Sequence, residues 1–221
     1  MCGRFSLTND ADQLPSLIRQ RMSAHHLSRY AARSLIRPTE PVLGLRRNQS
    51  NMEAALMLWG LIPSWSKTPC AGPRPIHARS ETVTQQAVFK GAWRHRRCLI
   101  PATAFFEKQH GICRLDQASF WLAGLWERWH GSDGSEIDTC AILTTSANAL
   151  IKPIHDRMPV IIPNGLEESW LSQTGGTDLR ALEPLLSGWD SQGWIINSFK
   201  SAQQTPKEST VQASLFDVSN F

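Results

Sequence analysis

The chain has 221 residues, of which 41% are hydrophobic and 19% are charged. This length and balance are ordinary for a single globular domain and argue against a wholly disordered chain. The longest apolar runs fall far short of the ~20 residues that a membrane-spanning helix needs, and polar residues interrupt the N-terminal segment where a signal peptide would be apolar. A cytosolic protein without membrane spans is therefore expected.

The cysteines and the charged residues limit which cofactors and binding partners are expected. Five cysteines are scattered along the chain without a Cys-x-x-Cys pair, so neither a disulfide framework, nor a metal site, nor a cofactor is predicted. The formal net charge is +4, and the chain contains nine tryptophans. Because cations bind phosphates and flat rings stack on unpaired bases, this composition favours single-stranded nucleic acid. A basic cluster contains Lys90, Arg94, His95, Arg96 and Arg97.

The first predicted element is an amphipathic helix from Asp10 to about Arg29. Pro15 is compatible with the first turn of this helix but not with its interior. Its apolar face consists of four residues at helical spacing: Leu14, Leu17, Ile18 and Met22.

Short strands dominate the next part of the chain. They are rich in branched and aromatic residues and are separated by Gly, Pro, Asn or Ser. The predicted strands are Val42–Arg47, Ala54–Gly60, Arg97–Ile100, Ala104–Lys108, Ile112–Leu115, Phe120–Trp126, Ile137–Thr145 and Met158–Ile162.

Three further helices are predicted among and after these strands. One is capped by Ser80 or Thr82 and runs to Arg94, with Phe89 and Trp93 on one face. The other two are predicted at Leu166–Ser172 and Asp178–Leu186.

The order of these elements predicts the fold class. Strands and helices do not alternate as they do in a parallel α/β sheet. We therefore expect an α+β fold in which a mainly antiparallel, barrel-like β core is flanked by helices. Residues 1–200 are expected to form this single domain. From about Ser201 the composition changes to Gln, Thr, Ser and Pro, which predicts a flexible tail at 201–221.

Cys2 is a candidate nucleophile, because removal of Met1 would leave its thiol and its α-amine on adjacent carbons. An α-amine has a pKa of about 7.7–8.0, against about 10.4 for lysine, so more of it is uncharged at neutral pH. Such an amine attacks aldehydes to give an imine, and the neighbouring thiolate can then close a five-membered thiazolidine ring. The alternative is that Cys2 is simply the residue that follows the start.

Two more side chains are suited to proton transfer. Glu107 follows the apolar pair Phe105-Phe106, where burial favours the protonated carboxyl, although an exposed position on a strand is equally compatible. His155 lies in a polar turn, and a histidine that titrates near pH 6.5 could move protons at a sugar oxygen or an imine. In the alternative interpretation, Asp156 and Arg157 pair with each other and only cap this turn.

Five motifs occur in order along the chain: Met-Cys-Gly-Arg-Phe at 1–5, Trp59-Gly60-x-x-Pro63-x-Trp65, Ala78-Arg79-x-Glu81-Thr82, Phe106-Glu107, and His155-Asp156-Arg157-Met158-Pro159. Together they resemble the SRAP ("SOS response-associated peptidase") family over roughly residues 1–200. The resemblance implies that the mature N-terminal cysteine forms a stable thiazolidine with the ring-opened aldehyde of an abasic site in single-stranded DNA. Such a crosslink shields the lesion, and reversal of the crosslink or strand nicking through the imine is an associated expectation.

The same resemblance implies catalytic roles for matching residues. Cys2 would be the nucleophile, Glu107 the carboxylate that assists imine formation, and His155 the proton carrier near the sugar oxygen. His77 stands where the family usually has an asparagine, so a ring that titrates replaces a neutral amide at a candidate catalytic position. The usual Asn-x-Ala-Pro stretch of the family is also changed, to Leu35-Ile36-Arg37-Pro38.

DNA-binding residues are implied in the same way. Arg4 and Arg79 would hold the phosphates that flank the lesion, and Thr144 would help to line the pocket. Trp65 would stack beside the displaced base, although Ser66 replaces the second of two adjacent tryptophans that the family often has.

The tail contains a short motif outside this resemblance. Gln212-Ala213-Ser214-Leu215-Phe216 is similar to the pentapeptide that bacterial replication proteins insert into the sliding clamp. Gln212, Leu215 and Phe216 are therefore candidate clamp-binding residues, and the alternative is an ordinary tail with two apolar residues.

Three functions remain open from the sequence. The first is a monomeric DNA-repair enzyme that crosslinks itself to abasic sites at replication forks in the nucleoid. The second is a cysteine peptidase or amidohydrolase, with Cys2 as nucleophile and His155 as base, whose use is the removal of Met1. The third is a non-catalytic protein that binds single-stranded DNA at forks.

Overall fold

The computed structural model describes residues 3–48, 51–172 and 179–198. Within these ranges two β-sheets share one hydrophobic core, and short helices pack against them. The predicted α+β fold with a mainly antiparallel, barrel-like β core is confirmed. Across the same ranges, no helix combines the length and the apolar character that a membrane span requires.

The strands are short and are separated by turns. In chain order they are β1 (Arg4–Leu7), β2 (Arg33–Ile36), β3 (Pro41–Asn48), β4 (Asn51–Trp59), β5 (His77–Arg79), β6 (Arg97–Ala102), β7 (Ala104–Glu107), β8 (His110–Arg114), β9 (Phe120–His130), β10 (Glu136–Ser146), β11 (Arg157–Pro159), β12 (Ile161–Ile162) and β13 (Trp194–Ser198). The helices are α1 (Ser16–Arg19), α2 (Ala24–Arg29), α3 (Ala87–His95), α4 (Glu167–Leu171) and a 3₁₀ helix at Leu179–Leu186.

Five of these strands close into a barrel in the order β4, β3, β6, β9 and β10. The ring closes because β10 pairs with β9 on one edge and with β4 on the other, so that Cys140 lies opposite both Trp126 and Trp59. The β10–β4 pairing is parallel and the other pairings of the ring are antiparallel. Gly124 permits the close approach of β9 to β6, since a Cβ atom there would lie 2.7 Å from the Sγ atom of Cys98.

The second sheet has the order β13, β8, β7, β1 and β2, and all its pairings are antiparallel. In it, β1 pairs with β7 so that Phe5 lies opposite Phe105, and both side chains are buried. The sequence analysis did not predict β1, β2, β5 or β13. These strands have five residues or fewer, and pairing with neighbouring strands stabilises them.

The prediction of one N-terminal helix is wrong, because two short helices, α1 and α2, occupy this region. Pro15 is extended, with ψ of 135°, and α1 begins directly after it. Ser23 starts the second helix, since its hydroxyl accepts a hydrogen bond from the main-chain N–H of His26 at 3.2 Å. The predicted apolar face is correct, with Leu14 and Ile18 buried in the core.

Other element boundaries also differ from the predictions. The helix expected from Ser80 or Thr82 begins only at α3, because turns precede an extended Gln86, but its predicted face is buried as expected. The single strand predicted at Met158–Ile162 is divided at Val160, where the chain passes from β10 to β9. The last predicted helix is the 3₁₀ helix, and Asp178 lies outside the described residues.

Arg97 belongs to the core and not to a basic surface. It is 3% exposed, and its guanidinium donates to the carbonyls of Trp170 at 2.7 Å and Trp93 at 2.6 Å, and also to that of Ser172. Burial lowers the pKa of Arg97 to about 10. The predicted basic cluster is therefore divided: Arg97 holds α4 against α3, and Arg96 pairs with Glu127 at 2.7 Å.

Replacing Arg97 with alanine should destabilise the fold by about 3 kcal/mol or more, because each buried carbonyl left without a donor costs about 1–3 kcal/mol. Lys90→Ala on the exposed face of α3 is the matched control and should change stability by no more than about 0.5 kcal/mol. Urea unfolding of both variants checks this expectation. Equal midpoints for the two variants would contradict a structural role for Arg97.

Candidate active site

The C-terminal end of β10 brings two of the sequence motifs together. On one edge, β5 runs parallel to β10 and aligns Arg79 with Thr144. On the other edge, β11 runs antiparallel and aligns Pro159 with the same threonine. The main-chain N–H of Ser80 also donates to the carbonyl of Thr144 at 2.9 Å. Thr144 therefore lies between the Ala78–Thr82 and His155–Pro159 motifs.

An ion pair joins these two motifs directly. The guanidinium of Arg157 donates to both carboxylate oxygens of Glu81, at 2.6 and 2.8 Å. It also donates to the carbonyl oxygen of Thr144 at 2.6 Å and to its hydroxyl at 3.2 Å. The hydrogen bond from Arg157 holds the pKa of Glu81 below its ordinary value. Glu81 is consequently ionised at neutral pH, and the planar guanidinium is fixed in one orientation.

The expectation that Asp156 and Arg157 pair with each other is not met. Asp156 instead accepts a hydrogen bond from the ammonium of Lys152 at 2.7 Å, one helical turn earlier in the chain. The hydrogen bond from Lys152 lowers the pKa of Asp156. This pairing, together with the reach of Arg157 to Glu81, leaves His155 between two anchored residues. The turn is therefore held from both sides.

His155 is half-buried, and its ring has a defined tautomer in the neutral state. The Nδ1 atom accepts a hydrogen bond from the main-chain N–H of Arg157 at 2.8 Å. An accepting Nδ1 carries the lone pair, so the proton of the neutral ring is on Nε2. The main-chain N–H of His155 in turn donates to the carbonyl of Ile151 at 3.0 Å. The residue therefore presents an N–H donor at its outer ring nitrogen.

Glu107 ends β7 beside the first strand of the chain. Its side chain is buried at 7% exposure, which excludes the alternative of an exposed strand position. The preceding residue, Phe106, pairs with Arg4 of β1. The guanidinium of Arg4 donates to the carbonyl of Lys108 at 2.6 Å, in the turn that follows Glu107. The start of β1 and the carboxylate of Glu107 are thus neighbours.

A series of aromatic contacts connects β1 to His77. The ring of Phe5 packs edge-on against Trp59, with centroids 5.3 Å apart, and Trp59 packs against His77 at 6.1 Å. The indole N–H of Trp59 donates to the carbonyl of Ile76 at 2.9 Å, which fixes the residue before β5. The N-terminal strand and His77 are thus held on the same buried tryptophan.

His77 opens onto a cleft of about 470 Å³. Arg79 and Trp65 line the same cleft, and the indole of Trp65 is 62% exposed. Three prolines also contribute flat apolar surface: Pro63, Pro73 and Pro75. A guanidinium beside an exposed indole is the combination that binds a phosphate next to an unpaired base.

Comparison with known proteins identifies the family. A family model described as "SOS response associated peptidase (SRAP)" matches residues 1–201. The chain belongs to the SRAP family. The abasic site processing protein YoaM of Bacillus subtilis is 33% identical over 233 residues, which cover 100% of this chain and 99% of YoaM. The abasic site processing protein YedK of Escherichia coli is 26% identical over 191 residues, covering 78% and 80% of the two chains.

Solved structures agree with this assignment at the level of the fold. A protein from Bacteroides thetaiotaomicron superimposes with a TM-score of 0.79 at 24% identity and covers 90% of this chain and 92% of its own. A protein from Bordetella bronchiseptica has a TM-score of 0.74 at 25% identity, with 90% and 100% coverage.

One connection within this SRAP chain was not predicted from the sequence. Glu81 and Arg157 were visible as motif positions, yet their mutual pairing was not predicted. The sequence signal for this pairing was that both motifs occur in the same chain. Cys2 lies outside the described residues, and so do the clamp-motif residues Gln212, Leu215 and Phe216.

Proposed function

We propose that this SRAP protein processes abasic sites in single-stranded DNA by forming a thiazolidine crosslink through Cys2 after removal of Met1. The observation that carries the proposal is the pairing of Arg4 with Phe106, next to the buried carboxylate of Glu107. Cys2 is two residues before Arg4 in the chain. The relatives named abasic site processing proteins support the same substrate.

The proposed reaction begins with ring opening of the abasic sugar. The C1′ hydroxyl loses a proton as the ring oxygen gains one, and the C1′–O4′ bond breaks to give an aldehyde. The Nε2–H of His155 is a suitable hydrogen-bond donor to the ring oxygen, because hydrogen bonding at Nδ1 leaves the ring proton on Nε2. In this tautomer His155 stabilises the departing oxygen by a hydrogen bond, and the proton that the oxygen gains is the one that the C1′ hydroxyl loses.

Crosslinking then consumes the aldehyde. The uncharged α-amine of residue 2 adds to the aldehyde carbon, and the resulting carbinolamine loses water to form an imine. We assign to Glu107 the protonation of the departing hydroxyl group. The thiolate then adds to the imine carbon, the nitrogen takes a proton, and the five-membered ring closes with water as the only by-product.

The cleft next to His77 supports binding of the DNA strand. We assign phosphate contacts to Arg79 in the cleft and to Arg4 near the Glu107 turn, and base stacking to the exposed indole of Trp65. Thr144 is 1% exposed, and its hydroxyl accepts a hydrogen bond from Arg157. We therefore assign to Thr144 the role of holding Arg157 in position beneath this surface. The DNA strand would then cross the end of β10.

Replacing Cys2 with alanine should abolish the heat-stable adduct on an abasic single-stranded oligonucleotide but leave an imine that borohydride traps, because the α-amine survives and the thiol does not. Denaturing electrophoresis with and without borohydride measures both species. Cys70→Ala is the matched control, since Cys70 is an exposed free cysteine, and it should crosslink like the wild type.

A full heat-stable adduct from Cys2→Ala would contradict the assignment of the nucleophile. No adduct from the wild type, together with unchanged single-strand affinity, would favour the non-catalytic binder. Removal of Met1 followed by turnover of a peptide substrate, without DNA chemistry, would favour the peptidase.

We further propose that His77 provides the hydrogen bonding that the usual asparagine provides in relatives. Histidine side chains ordinarily titrate near pH 6.5, and a protonated ring can no longer accept a hydrogen bond as the neutral amide of asparagine does. The crosslinking rate of the wild type should therefore fall more steeply below about pH 6.5 than that of His77→Asn, whereas His77→Ala should be slow throughout. Quench-flow rates from pH 5.5 to 8 measure this difference, and identical profiles for the three proteins would remove His77 from the mechanism.

The tail supports a second proposal, argued from sequence alone, that Gln212, Leu215 and Phe216 bind the sliding clamp. Burial of two large apolar side chains contributes roughly 1.5–3 kcal/mol each, and the glutamine fixes the register. A peptide spanning Val211 to Val218 should bind a bacterial clamp with a Kd on the order of 10⁻⁶ to 10⁻⁵ M by calorimetry. Its double-alanine variant at Leu215 and Phe216 should not bind, and equal heats from both peptides would reject the motif.

A further inference from the structure

Two sets of hydrogen bonds, joined through the covalent structure of Arg157, link Glu81 to the ring of His155. The carboxylate of Glu81 holds the guanidinium of Arg157 through two bonds, and the main-chain N–H of Arg157 donates to Nδ1 of His155. Glu81 and Arg157 are 76 positions apart, so this connection depends on tertiary structure and not on the local turn. We propose that Glu81 is a positioning residue that keeps His155 in its Nε2–H form and in its orientation toward the DNA. The inference rests on the role proposed above for His155 in catalysis.

The orientation of Arg157 depends on few groups. Its guanidinium has a flat array of donors, of which two bond to Glu81 and one also reaches Thr144. The side chain of Arg157 is 15% exposed, while that of Glu81 is 46% exposed and reaches it from outside. Without the carboxylate, Thr144 alone would hold the guanidinium, and the side chain would gain freedom to turn toward water. The main chain of Arg157 is also held at β10, because β11 pairs Arg157 with Ser146 and the N–H of Ala147 donates to the carbonyl of Asp156 at 3.0 Å. Glu81 therefore reinforces the position of the Arg157 N–H and does not set it alone.

Glu81 is itself held in place. The N–H of Ser80 is bonded to the carbonyl of Thr144, and the N–H of Thr82 is bonded to the carbonyl of Arg79 at 3.1 Å. Val83, two residues further on, is fully buried. The main chain around Glu81 is therefore anchored to β5 and β10, which makes the carboxylate a fixed point against which Arg157 is aligned.

The tautomer matters because the two neutral forms of imidazole have opposite capacities. With the proton on Nε2, the outer nitrogen donates a hydrogen bond, which stabilises a sugar oxygen as its bond to C1′ breaks. With the proton on Nδ1, the outer nitrogen can only accept. The N–H of Arg157 disfavours the second form, since two donors would then face each other at 2.8 Å. Glu81 thus acts on the chemistry only through Arg157 and His155.

The competing explanation is that Glu81 forms an ordinary ion pair that affects the fold alone. Partly exposed ion pairs contribute little to stability, so loss of Glu81 should leave the protein folded. A test of the proposal therefore needs a readout that a merely structural pair would not change, and one that does not require DNA.

The first measurement is nitrogen-15 NMR of the histidine rings in the free protein, with the His155 signals assigned by their loss in His155→Ala. The wild type should show His155 in the Nε2–H form, Glu81→Gln should show a mixture of the two tautomers, and Glu81→Asp should restore much of the wild-type pattern. Asp116→Asn, which breaks the exposed Arg114–Asp116 pair, is the matched control and should leave His155 unchanged. An unchanged tautomer in Glu81→Gln would overturn the proposal.

The second measurement is a double-mutant cycle on the crosslinking rate and on the Kd for the abasic oligonucleotide. Glu81→Gln should slow crosslinking on the order of 10-fold, part of the ~10²–10⁴-fold that a positioned proton donor supplies, with little change in Kd. In the His155→Ala background, Glu81→Gln should have no further effect on the rate. Equal effects in both backgrounds would overturn the proposal. If the wild type forms no crosslink, the proposed function fails, and the NMR result alone decides whether Glu81 positions His155.

Discussion

The ion pair between Glu81 and Arg157 is the interaction on which the geometry of the site depends. It crosses the end of β10 and joins two strands, β5 and β11, that have three residues each. Strands of that length have little intrinsic stability, so their position follows from the groups that tie them to β10. Thr144 contributes its carbonyl to both sides, accepting from Ser80 and from Arg157. The ladder pairings of β5 and β11 with β10 bring these distant residues to one edge of the barrel, where the ion pair joins them.

The N-terminal strand is tied to the same edge by packing. Phe5 and His77 both pack against the buried Trp59, while Arg4 donates to the carbonyl of Lys108, which follows β7. The barrel therefore provides a rigid support, and the candidate catalytic groups project from strand ends and turns. Such an arrangement suits a reaction that must hold an amine, an acid and a flexible strand of DNA in one place.

Part of this arrangement could be predicted from the sequence and part could not. The amphipathic face with Leu14 and Ile18 and the series of alternating strands follow from periodicity, so the fold class was accessible. Pro15 was expected in the first turn of one helix, and α1 begins directly after it, but the cap at Ser23 competes with many similar serines, so the division into two helices was not predicted. The strand β5 has too few residues to produce a periodic signal, and only the motif around it drew attention to that segment.

Burial of polar residues was the least predictable feature. Arg97 follows three basic residues and has the sequence signature of an exposed cluster, yet carbonyl groups from α3 and α4 surround it. The pairing of Glu81 with Arg157 could not be predicted either, because the chain contains many opposite charges at distant positions that could pair with either residue equally well. Tertiary proximity, and not residue type, determines both outcomes.

The central claim is that the amine and thiol of one residue, Cys2, join the protein to the abasic sugar. Intact-mass analysis and peptide mapping of the purified protein–DNA adduct test this claim most directly. The account predicts a protein that lacks Met1, a mass increase equal to the abasic oligonucleotide minus one water, and attachment within the N-terminal peptide. Attachment at Cys70 or at a lysine, or an adduct that retains Met1, would contradict it.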